Sequence, residues 1–257
     1  MKNYFDLKGQ VAIVTGCSTG LGVQMAKALA NQGATIVAVA RRQEMIDAVA
    51  EEIAREYEVP TMAIRCDITD TDAVNAMVDQ VLEKFGRVDI LINNAGTGAV
   101  APAEDITDEQ FSNEMNIDLF GSFRVARAVA KKYMIKANYG RIINIASMYG
   151  LVGNKICGSA PYHAAKGGVT NMTRALAAEW GKYNITVNSI CPGYFYTDLT
   201  RDTLNSDFFQ QNAKTMIPEE RYGQEGELDT ATLFLASQNS SYVTGVNLAV
   251  DGGYTAM

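Results

Sequence analysis

Short apolar runs alternate with helix-length segments along this chain, and that alternation constrains the fold more than any other feature. The runs are rich in β-branched residues, and several of them are apolar at nearly every position. Strands that are apolar on both faces are typical of parallel sheets covered by helices on each side. Seven such runs are present: QVAIVTG, ATIVAVA, TMAIRCD, VDILINNAG, GRIINIAS, ITVNSICPG and GVNLAVDGG. The sequence therefore predicts an α/β fold with a doubly wound, seven-stranded parallel sheet.

Segments with the apolar spacing of helices lie between several of these runs: LGVQMAKALANQG, QEMIDAVAEEIAREYE, DTDAVNAMVDQVLEKFG and GVTNMTRALAAEWGKY. No linker, internal repeat or low-complexity tract interrupts the pattern, so we expect one domain over residues 1–257. The segment from about residue 193 to 225 differs, because it is long and irregular and contains aromatic residues. A loop of that length in a compact domain is usually functional, and we expect it to be a substrate lid.

Composition and charge exclude several classes of function. The formal net charge of −7 argues against a surface for nucleic acid or anionic membranes. The N-terminus lacks the apolar core of a secretory signal, and no run approaches the length of a membrane span. Cys17, Cys66, Cys157 and Cys191 lie far apart, and the chain has one histidine. We therefore expect no structural zinc site and a cytoplasmic protein with free thiols.

A glycine-rich turn, TGCSTGLG, follows the first predicted strand and opens the first predicted helix. Glycines at such a turn let the backbone approach a pyrophosphate, and the helix N-terminus offers free N–H donors and positive potential. Gly16, Gly20 and Gly22 have the spacing G-x-x-x-G-x-G rather than the commoner G-x-G-x-x-G. In this context the turn favours dinucleotide binding on a Rossmann fold over a simple chain reversal.

The residues after the second strand indicate which dinucleotide is bound. NAD-selective sites usually have an acid there, which binds the ribose 2′-hydroxyl. This chain has Ala40, Arg41 and Arg42 instead. A guanidinium can pair with a 2′-phosphate through two hydrogen bonds, so NADP(H) is favoured. The alternative is that both arginines are solvated loop residues.

Three further motifs lie where an open α/β sheet binds its ligands. NNAG, from Asn93 to Gly96, closes the fourth strand, and Ser147 ends the fifth. Tyr162 and Lys166, in PYHAAKGG, are four residues apart and share one face of a helix. That spacing alone decides nothing, since Tyr4 and Lys8 have it too.

Together these motifs resemble the short-chain dehydrogenase/reductase family over nearly the whole chain. The motifs are T-G-x-x-x-G-x-G, N-N-A-G, the strand-five serine, Y-x-x-x-K and CPGYFYT. The resemblance implies a catalytic tetrad of Asn116, Ser147, Tyr162 and Lys166. The motifs and the resemblance together predict these cofactor contacts: Gly16, Ser18, Thr19, Gly20, Leu21, Gly22, Arg41, Arg42, Asp67, Ile68, Asn93, Ala95, Gly96, Tyr162, Lys166, Pro192, Gly193 and Thr197.

The tetrad suits hydride transfer between an alcohol carbon and a nicotinamide, because a proton must move at the oxygen. A free tyrosine has a pKa of about 10, too high for a base at neutral pH, and a lysine ammonium one turn away favours the phenolate. Tyr162 would then be the base for oxidation and the acid for reduction, while Ser147 holds the substrate oxygen. The resemblance further implies that Lys166 binds the nicotinamide ribose and that Asn116 holds a relay water. His163, the only histidine, points about 100° away from Tyr162, and we expect no role for it.

The substrate is less constrained than the reaction. RIINIASM, AAEWGKYNITVN and CPGYFYTDLT are most similar to the gluconate 5-dehydrogenase branch, within a group that includes hydroxysteroid dehydrogenases and 3-oxoacyl reductases. That branch commonly follows N-N-A-G with a basic pair, whereas this chain has GTGAVAPAED. The expected pocket walls are largely apolar: Leu151, Val152, Ile156, Tyr194, Phe195, Tyr196, Phe208, Phe209, Met216 and Ile217. Such walls suit a bulky lipophilic substrate such as a hydroxysteroid.

Two alternatives remain open. The first is a sugar-acid or polyol dehydrogenase, in which Arg201 or Lys214 of the closing lid pairs with a substrate carboxylate. In that case the apolar residues pack the lid onto the rest of the domain. The second is a dinucleotide-binding sensor without turnover, although all four tetrad positions are filled. In either case the resemblance implies a homotetramer. Its dimer surface would be FGSFRVARAVAKKYM and the Tyr162 helix, and VDGGYTAM would complete the tetramer.

Overall fold

All seven predicted strands form and join one parallel sheet in the computed structural model. They are β1 (Val11–Thr15), β2 (Thr35–Ala40), β3 (Thr61–Arg65), β4 (Ile90–Asn93), β5 (Gly140–Ile145), β6 (Ile185–Pro192) and β7 (Asn247–Val250). Their order across the sheet is β3-β2-β1-β4-β5-β6-β7, with every pairing parallel. The predicted doubly wound, seven-stranded Rossmann fold is confirmed. The structure describes residues 3–98, 100–155, 158–197 and 200–257, and only the backbone of Phe208 and Lys214.

Helices cover both faces of this sheet. Those described are α1 (Gly20–Asn31), α2 (Gln43–Tyr57), α3 (Thr71–Phe85), α4 (Asp108–Glu114), α5 (Ser122–Val129), α6 (Ile135–Ala137), α7 (Ala160–Trp180), α8 (Arg201–Leu204), α9 (Asp207–Met216) and α10 (Asp229–Ala236). π-helical turns at Met115–Gly121 and Ala130–Met134 join α4 to α5 and α5 to α6, so these three form one continuous helical run. Among these helices, none combines the length and apolarity that crossing a membrane requires.

The strands are apolar on both faces because each face packs against its own helices. Along β1, Ala12 and Val14 belong to a core cluster with α1, α2 and α10, whereas Val11 and Ile13 belong to a second cluster with α3, α5 and α7. Successive side chains of a strand point to opposite faces, which gives this division. All five β1 residues are buried.

The strand order reverses at β1, which lies between β2 and β4. Connections leaving the carboxyl ends of β1 and β4 run in opposite directions there and leave a crevice, where ligands of such sheets bind. The glycine turn after β1 and the NNAG motif after β4 both lie at this crevice.

The 193–225 segment is more regular than its sequence pattern suggests. It contains α8 and α9, and the Ser206 hydroxyl caps α9 by accepting a hydrogen bond from the Phe209 N–H at 3.2 Å. The segment also has a core of its own, composed of Leu204, Phe209, Ala213 and Ile217. Whether it opens and closes as a lid stays a prediction.

Candidate active site

A pocket of about 380 Å³ occupies the crevice at the carboxyl ends of the strands. It extends from the glycine turn after β1 to the tyrosine and lysine of α7. These predicted residues line it: Gly16, Ser18, Thr19, Gly20, Leu21, Arg41, Arg42, Asp67, Ile68, Ala95, Gly96, Ser147, Tyr162, Lys166, Pro192, Gly193 and Thr197. Among the predicted tetrad and cofactor contacts, Gly22, Asn93 and Asn116 do not line it.

The glycine turn brings the N-terminus of α1 to the pocket wall. Gly16 has a φ of +65°, and a β-carbon added to it would lie 2.8 Å from Ala95 Cα, so the turn and the NNAG loop pack too closely for a side chain. Thr19, the residue before α1, makes no side-chain cap to the helix. The first N–H groups of α1 are thus left for a ligand, together with the positive end of the helix dipole. Gly22 lies behind this turn, close to the Gly16 carbonyl.

Both arginines after β2 are exposed and line one end of the pocket. Arg42 donates from Nη2 to the Ser18 hydroxyl at 2.9 Å, which links it to the glycine turn. Asp67, after β3, accepts a hydrogen bond from the Thr69 N–H at 2.9 Å, and this bond lowers the pKa of Asp67. Two cations and one fixed carboxylate therefore flank this end of the pocket.

The side chains of the two asparagines of NNAG make hydrogen bonds within the protein. Asn93 is buried, and its Nδ2 donates to Ser122 O at 3.1 Å and to Asn144 Oδ1 at 2.9 Å. Strand alternation turns the Asn93 side chain into the core, and its predicted contact with the cofactor stays a prediction. Asn94 instead lines the pocket and donates from Nδ2 to the carbonyls of Thr15 and Gly16, at 3.1 and 3.2 Å. Sequence reasoning missed Asn94, although the same alternation was available as a signal.

Ser147, Tyr162 and Lys166 come together at the other end of the pocket, as predicted. Ser147 follows β5, and its hydroxyl accepts a hydrogen bond from the Tyr149 N–H at 3.1 Å. Tyr162 and Lys166 are one turn apart on α7, with Lys166 Nζ 5.5 Å from the centre of the Tyr162 ring. Lys166 Nζ donates to the carbonyl of Ile145 at 3.0 Å, which fixes the lysine against the end of β5.

Asn116 does not join this group, and Asp118 occupies the place expected of it. Asp118 Oδ2 lies 2.9 Å from Lys166 Nζ, and Asp118 Oδ1 accepts a hydrogen bond from the Thr97 N–H at 2.8 Å. A β-carbon on Gly96 would lie 2.9 Å from Asp118 Oδ2, so Gly96 is needed for this approach. Asn116 faces elsewhere, and Arg124 holds it through bonds to Oδ1 at 2.8 Å and to its carbonyl at 3.2 Å.

The π-helical turn explains the correction. A π turn leaves carbonyls without their α-helical partners, and side chains take them here: the Ser122 hydroxyl donates to Asp118 O at 2.9 Å. Residues two apart on a helix point to nearly opposite sides, so Asn116 and Asp118 cannot both face the pocket. A signal was present, since Asp118, Gly121, Ser122 and Val125 have helical spacing and all four are buried.

An aromatic group packs against Tyr162, and none of its other members is among the described residues that line the pocket. The Tyr149 ring lies edge-on to that of Tyr162, with centroids 6.5 Å apart, and its hydroxyl is hydrogen-bonded to that of Tyr194. His163 stacks on Tyr149, and its Nδ1 lies 2.9 Å from the Ser159 carbonyl oxygen. His163 is not among the described residues that line the pocket.

The apolar walls expected of the 193–225 segment are mostly turned inward. Phe209 and Ile217 are each 2% exposed, and they pack with Tyr194 and Met216 rather than on the pocket. Arg201 is exposed at the start of α8. The remaining predicted residues stand as follows. Phe195 lines the pocket, Leu151, Val152 and Tyr196 do not, and Ile156, Cys157 and the side chains of Phe208 and Lys214 lie outside the described residues.

The described cysteines are not placed for chemistry. Cys17, Cys66 and Cys191 are buried free thiols. Burial raises the pKa of Cys17 to about 12 and that of Cys66 to about 11, so neither forms a thiolate near neutral pH.

Comparisons with known proteins give relatives along the whole chain. A family described as enoyl-(acyl carrier protein) reductase matches residues 16–255. The chain is 37% identical over 254 residues to 2-dehydro-3-deoxy-D-gluconate 5-dehydrogenase of Escherichia coli, with 98% of each chain covered. It is 36% identical over 251 residues to D-threitol dehydrogenase of Mycolicibacterium smegmatis, covering 98% of this chain and 95% of that one.

A solved structure of similar sequence superposes closely. It is a gluconate 5-dehydrogenase from Burkholderia cenocepacia in complex with NADP and tartrate, with a TM-score of 0.94 and 36% identity. The match covers 99% of this chain and 98% of that one.

Proposed function

Because this chain belongs to the short-chain dehydrogenase/reductase family of oxidoreductases, we propose that it is an NADP(H)-dependent enzyme that interconverts a secondary alcohol and a ketone on a sugar acid or a polyol. The observation that carries the substrate class is the inward packing of the apolar residues of the 193–225 segment. The choice of NADP(H) as the cofactor is based on the two arginines and the glycine turn.

The pocket fits NADP(H) at both of its ends. The uncapped N-terminus of α1 suits a pyrophosphate, and Arg41 and Arg42 suit a 2′-phosphate beside Ser18. Asp67 and Ile68 would border the adenine, and Thr197 the nicotinamide amide. When bound, the nicotinamide accepts a hydride from the alcohol or donates one to the ketone. A relative that binds NADP, at 36% identity, supports this choice.

Three residues of the chain would handle the substrate oxygen. Ser147 donates a hydrogen bond to that oxygen and fixes it beside Tyr162. The Tyr162 hydroxyl takes the proton in oxidation and returns it in reduction, and the Lys166 ammonium favours the phenolate. Two of Lys166's three N–H donors face Asp118 and Ile145, which leaves one for a ribose hydroxyl.

A polar substrate is favoured over a hydroxysteroid. The lipophilic hypothesis requires apolar side chains on the pocket wall, but Phe209 and Ile217 are buried in the core of their own segment. What borders Tyr162 is Tyr149, whose hydroxyl is paired with that of Tyr194. The described lining of the pocket includes the polar side chains of Asn94, Ser147 and Thr200, which suit the hydroxyls of a polyhydroxylated chain. The sugar-acid and polyol relatives add support, and nothing in the described pocket favours a steroid.

A substrate panel with NADP⁺ tests this proposal. It compares gluconate, D-threitol and other neutral polyols with hydroxysteroids and bile acids. We expect kcat/KM for the best sugar acid or polyol to exceed that for every steroid by about tenfold or more, since an apolar steroid skeleton would leave polar groups of the pocket unpaired. Tyr162→Phe is the matched control, and it should lower kcat by about 10²–10⁴-fold while NADPH binding persists.

Two outcomes would contradict the proposal. A clear preference for hydroxysteroids would mean that the 193–225 segment presents apolar walls to substrate. No turnover of any alcohol, with NADPH bound, would instead favour the dinucleotide sensor. Within the expected outcome, preference for gluconate over D-threitol would point to a carboxylate anchor, for which Arg201 and Lys214 are the candidates.

We further propose that the enzyme is a cytoplasmic homotetramer. Phe120 and Phe111, on the helical run from α4 to α5, are 51% and 39% exposed, which suits a surface that a second copy covers. The three buried free thiols are compatible with a reducing compartment.

A further inference from the structure

A fully buried carboxylate contacts the lysine of the active site. Asp118 has no exposed side-chain surface, and Lys166 is 6% exposed. Asp118 Oδ1 is fixed by the Thr97 N–H, and Oδ2 lies 2.9 Å from Lys166 Nζ. Two charges held this close within the protein interior interact strongly, because little water screens them. The pair therefore places one negative charge beside the positive charge that favours a phenolate at Tyr162.

The other titratable groups near Lys166 come from five parts of the chain. Glu114, at the end of α4, is buried and adds a second negative charge. Tyr162 on α7 and Tyr149 after β5 are neutral phenols in their protonated state, and His163 stacks behind Tyr149. The Cys191 thiol of β6 stays protonated because burial raises its pKa, and Asp251 lies beyond it. Burial opposes the charge on Lys166, but attraction to Asp118, Tyr162 and Glu114 outweighs it and raises the pKa of Lys166.

We propose that Asp118 is a positioning residue that holds Lys166 in place and offsets its charge, and so sets the pH range over which Tyr162 exchanges its proton. This inference rests on the role given to Tyr162 in the proposed function. The sign follows from the charges. With Asp118 ionised, Lys166 and Asp118 sum to zero, and the phenolate of Tyr162 gains less from Lys166 than it would from a lone ammonium. As long as Lys166 keeps its proton, which Glu114 and the phenolate itself favour, removing the Asp118 charge should therefore move proton release from Tyr162 to lower pH.

The test is an alkaline titration of the protein alone, followed by the ultraviolet absorbance of tyrosinate. Subtracting the curve of Tyr162→Phe from that of the wild type isolates Tyr162 among the tyrosines. The same subtraction is made in an Asp118→Asn background. We expect the midpoint to fall by about one pH unit when Asp118 is neutralised. Asp118→Glu, which keeps the charge, should leave the midpoint close to that of the wild type.

Asp89 offers a matched control. It is also buried, accepts a backbone N–H from Val11 at 2.8 Å, and pairs with Arg87 at 2.7 Å, but it does not line the pocket. Asp89→Asn should destabilise the protein as Asp118→Asn does and leave the Tyr162 midpoint unchanged. A shift specific to Asp118→Asn thus separates the charge effect from loss of a buried ion pair.

A midpoint that stays the same or rises in Asp118→Asn would overturn the inference. If that variant does not fold, Asp118→Ser removes the same charge and leaves room for a water at Lys166, and its midpoint must fall likewise. The titration uses neither substrate nor cofactor. If the substrate panel showed no turnover of sugar acids or polyols, the proposed function would be wrong. The shift of the Tyr162 midpoint in Asp118→Asn would still stand. Where an alcohol is oxidised, the pH profile of kcat/KM should shift in the same direction.

Discussion

Arg41 and Arg42 are the residues on which cofactor selectivity should depend. Both line the pocket where no acid follows β2. Arg41→Ala should lower kcat/KM with NADP⁺ by roughly tenfold or more, because loss of a charged hydrogen bond costs about 1.5–3 kcal/mol. The value with NAD⁺ should change by less than about twofold, since NAD⁺ carries no 2′-phosphate for this residue. Initial rates with both cofactors measure the two effects.

Arg65 provides the control for this substitution. It is exposed at the end of β3, two residues before Asp67, and it does not line the pocket. Arg65→Ala removes the same charge from the same edge of the sheet and should leave both kcat/KM values unchanged. Equal losses with NADP⁺ and NAD⁺ in Arg41→Ala would show that the arginine does not bind the 2′-phosphate.

At the scale of elements, the contact between the NNAG loop after β4 and the π-helical turn should be the most sensitive to substitution. A β-carbon on Gly96 would lie 2.9 Å from Asp118 Oδ2, so Gly96→Ala must displace the carboxylate or the loop. We expect a loss of about 1–3 kcal/mol in the free energy of unfolding, measured by urea denaturation. Activity should fall with it, because the same carboxylate holds Lys166.

Gly181→Ala is the companion measurement. Gly181 follows α7 with a φ of −54°, and an added β-carbon there meets open space. This variant should stay within about 0.5 kcal/mol of the wild type or gain slightly. If both alanine variants prove equally stable, the loop and the turn do not pack as tightly as the distances indicate.

The elements also show why the sequence points to two different residues for one tetrad position. The side chains of a strand alternate between the two faces of the sheet in any surroundings. The apolar run that ends at Ser147 was therefore enough to predict that this residue lies at the end of its strand. The face of a helix on which a residue lies can be predicted only if the number of residues per turn is known. The π turn at Met115–Gly121 changes the number of residues per turn. The family resemblance implies Asn116, whereas helical spacing from the buried Gly121, Ser122 and Val125 indicates Asp118.

At the scale of the whole molecule, the sheet and its pocket were predictable and the substrate was not. The carboxyl ends of parallel strands meet at one edge, so motifs distant in sequence had to converge there. The apolar residues of the 193–225 segment carry no such constraint. Phe209 and Ile217 suit a substrate wall and a segment core equally well as residue types, and only their packing decides between the two.

Assembly is the property of the whole molecule that is simplest to test. Light scattering at micromolar concentration should give a tetramer. Phe120→Glu places a charge on an exposed ring of the predicted dimer surface and should give smaller, folded species, because burying an unpaired carboxylate is costly. Tyr4→Glu, at a residue that is 60% exposed and outside that surface, is the control and should stay tetrameric. A monomeric wild type would contradict the proposed assembly.

The π-helical turn at Met115–Gly121 also bears on how this sequence can change over evolutionary time. Each residue of an α-helix contributes about 100° of rotation, so the loss of a single codon between Asp108 and Asp118 would swing the carboxylate away from Lys166. Exposed positions of this run outside the proposed dimer surface can exchange residues, but the run has to keep its length. Drift in this part of the gene is therefore expected as substitutions and not as insertions or deletions.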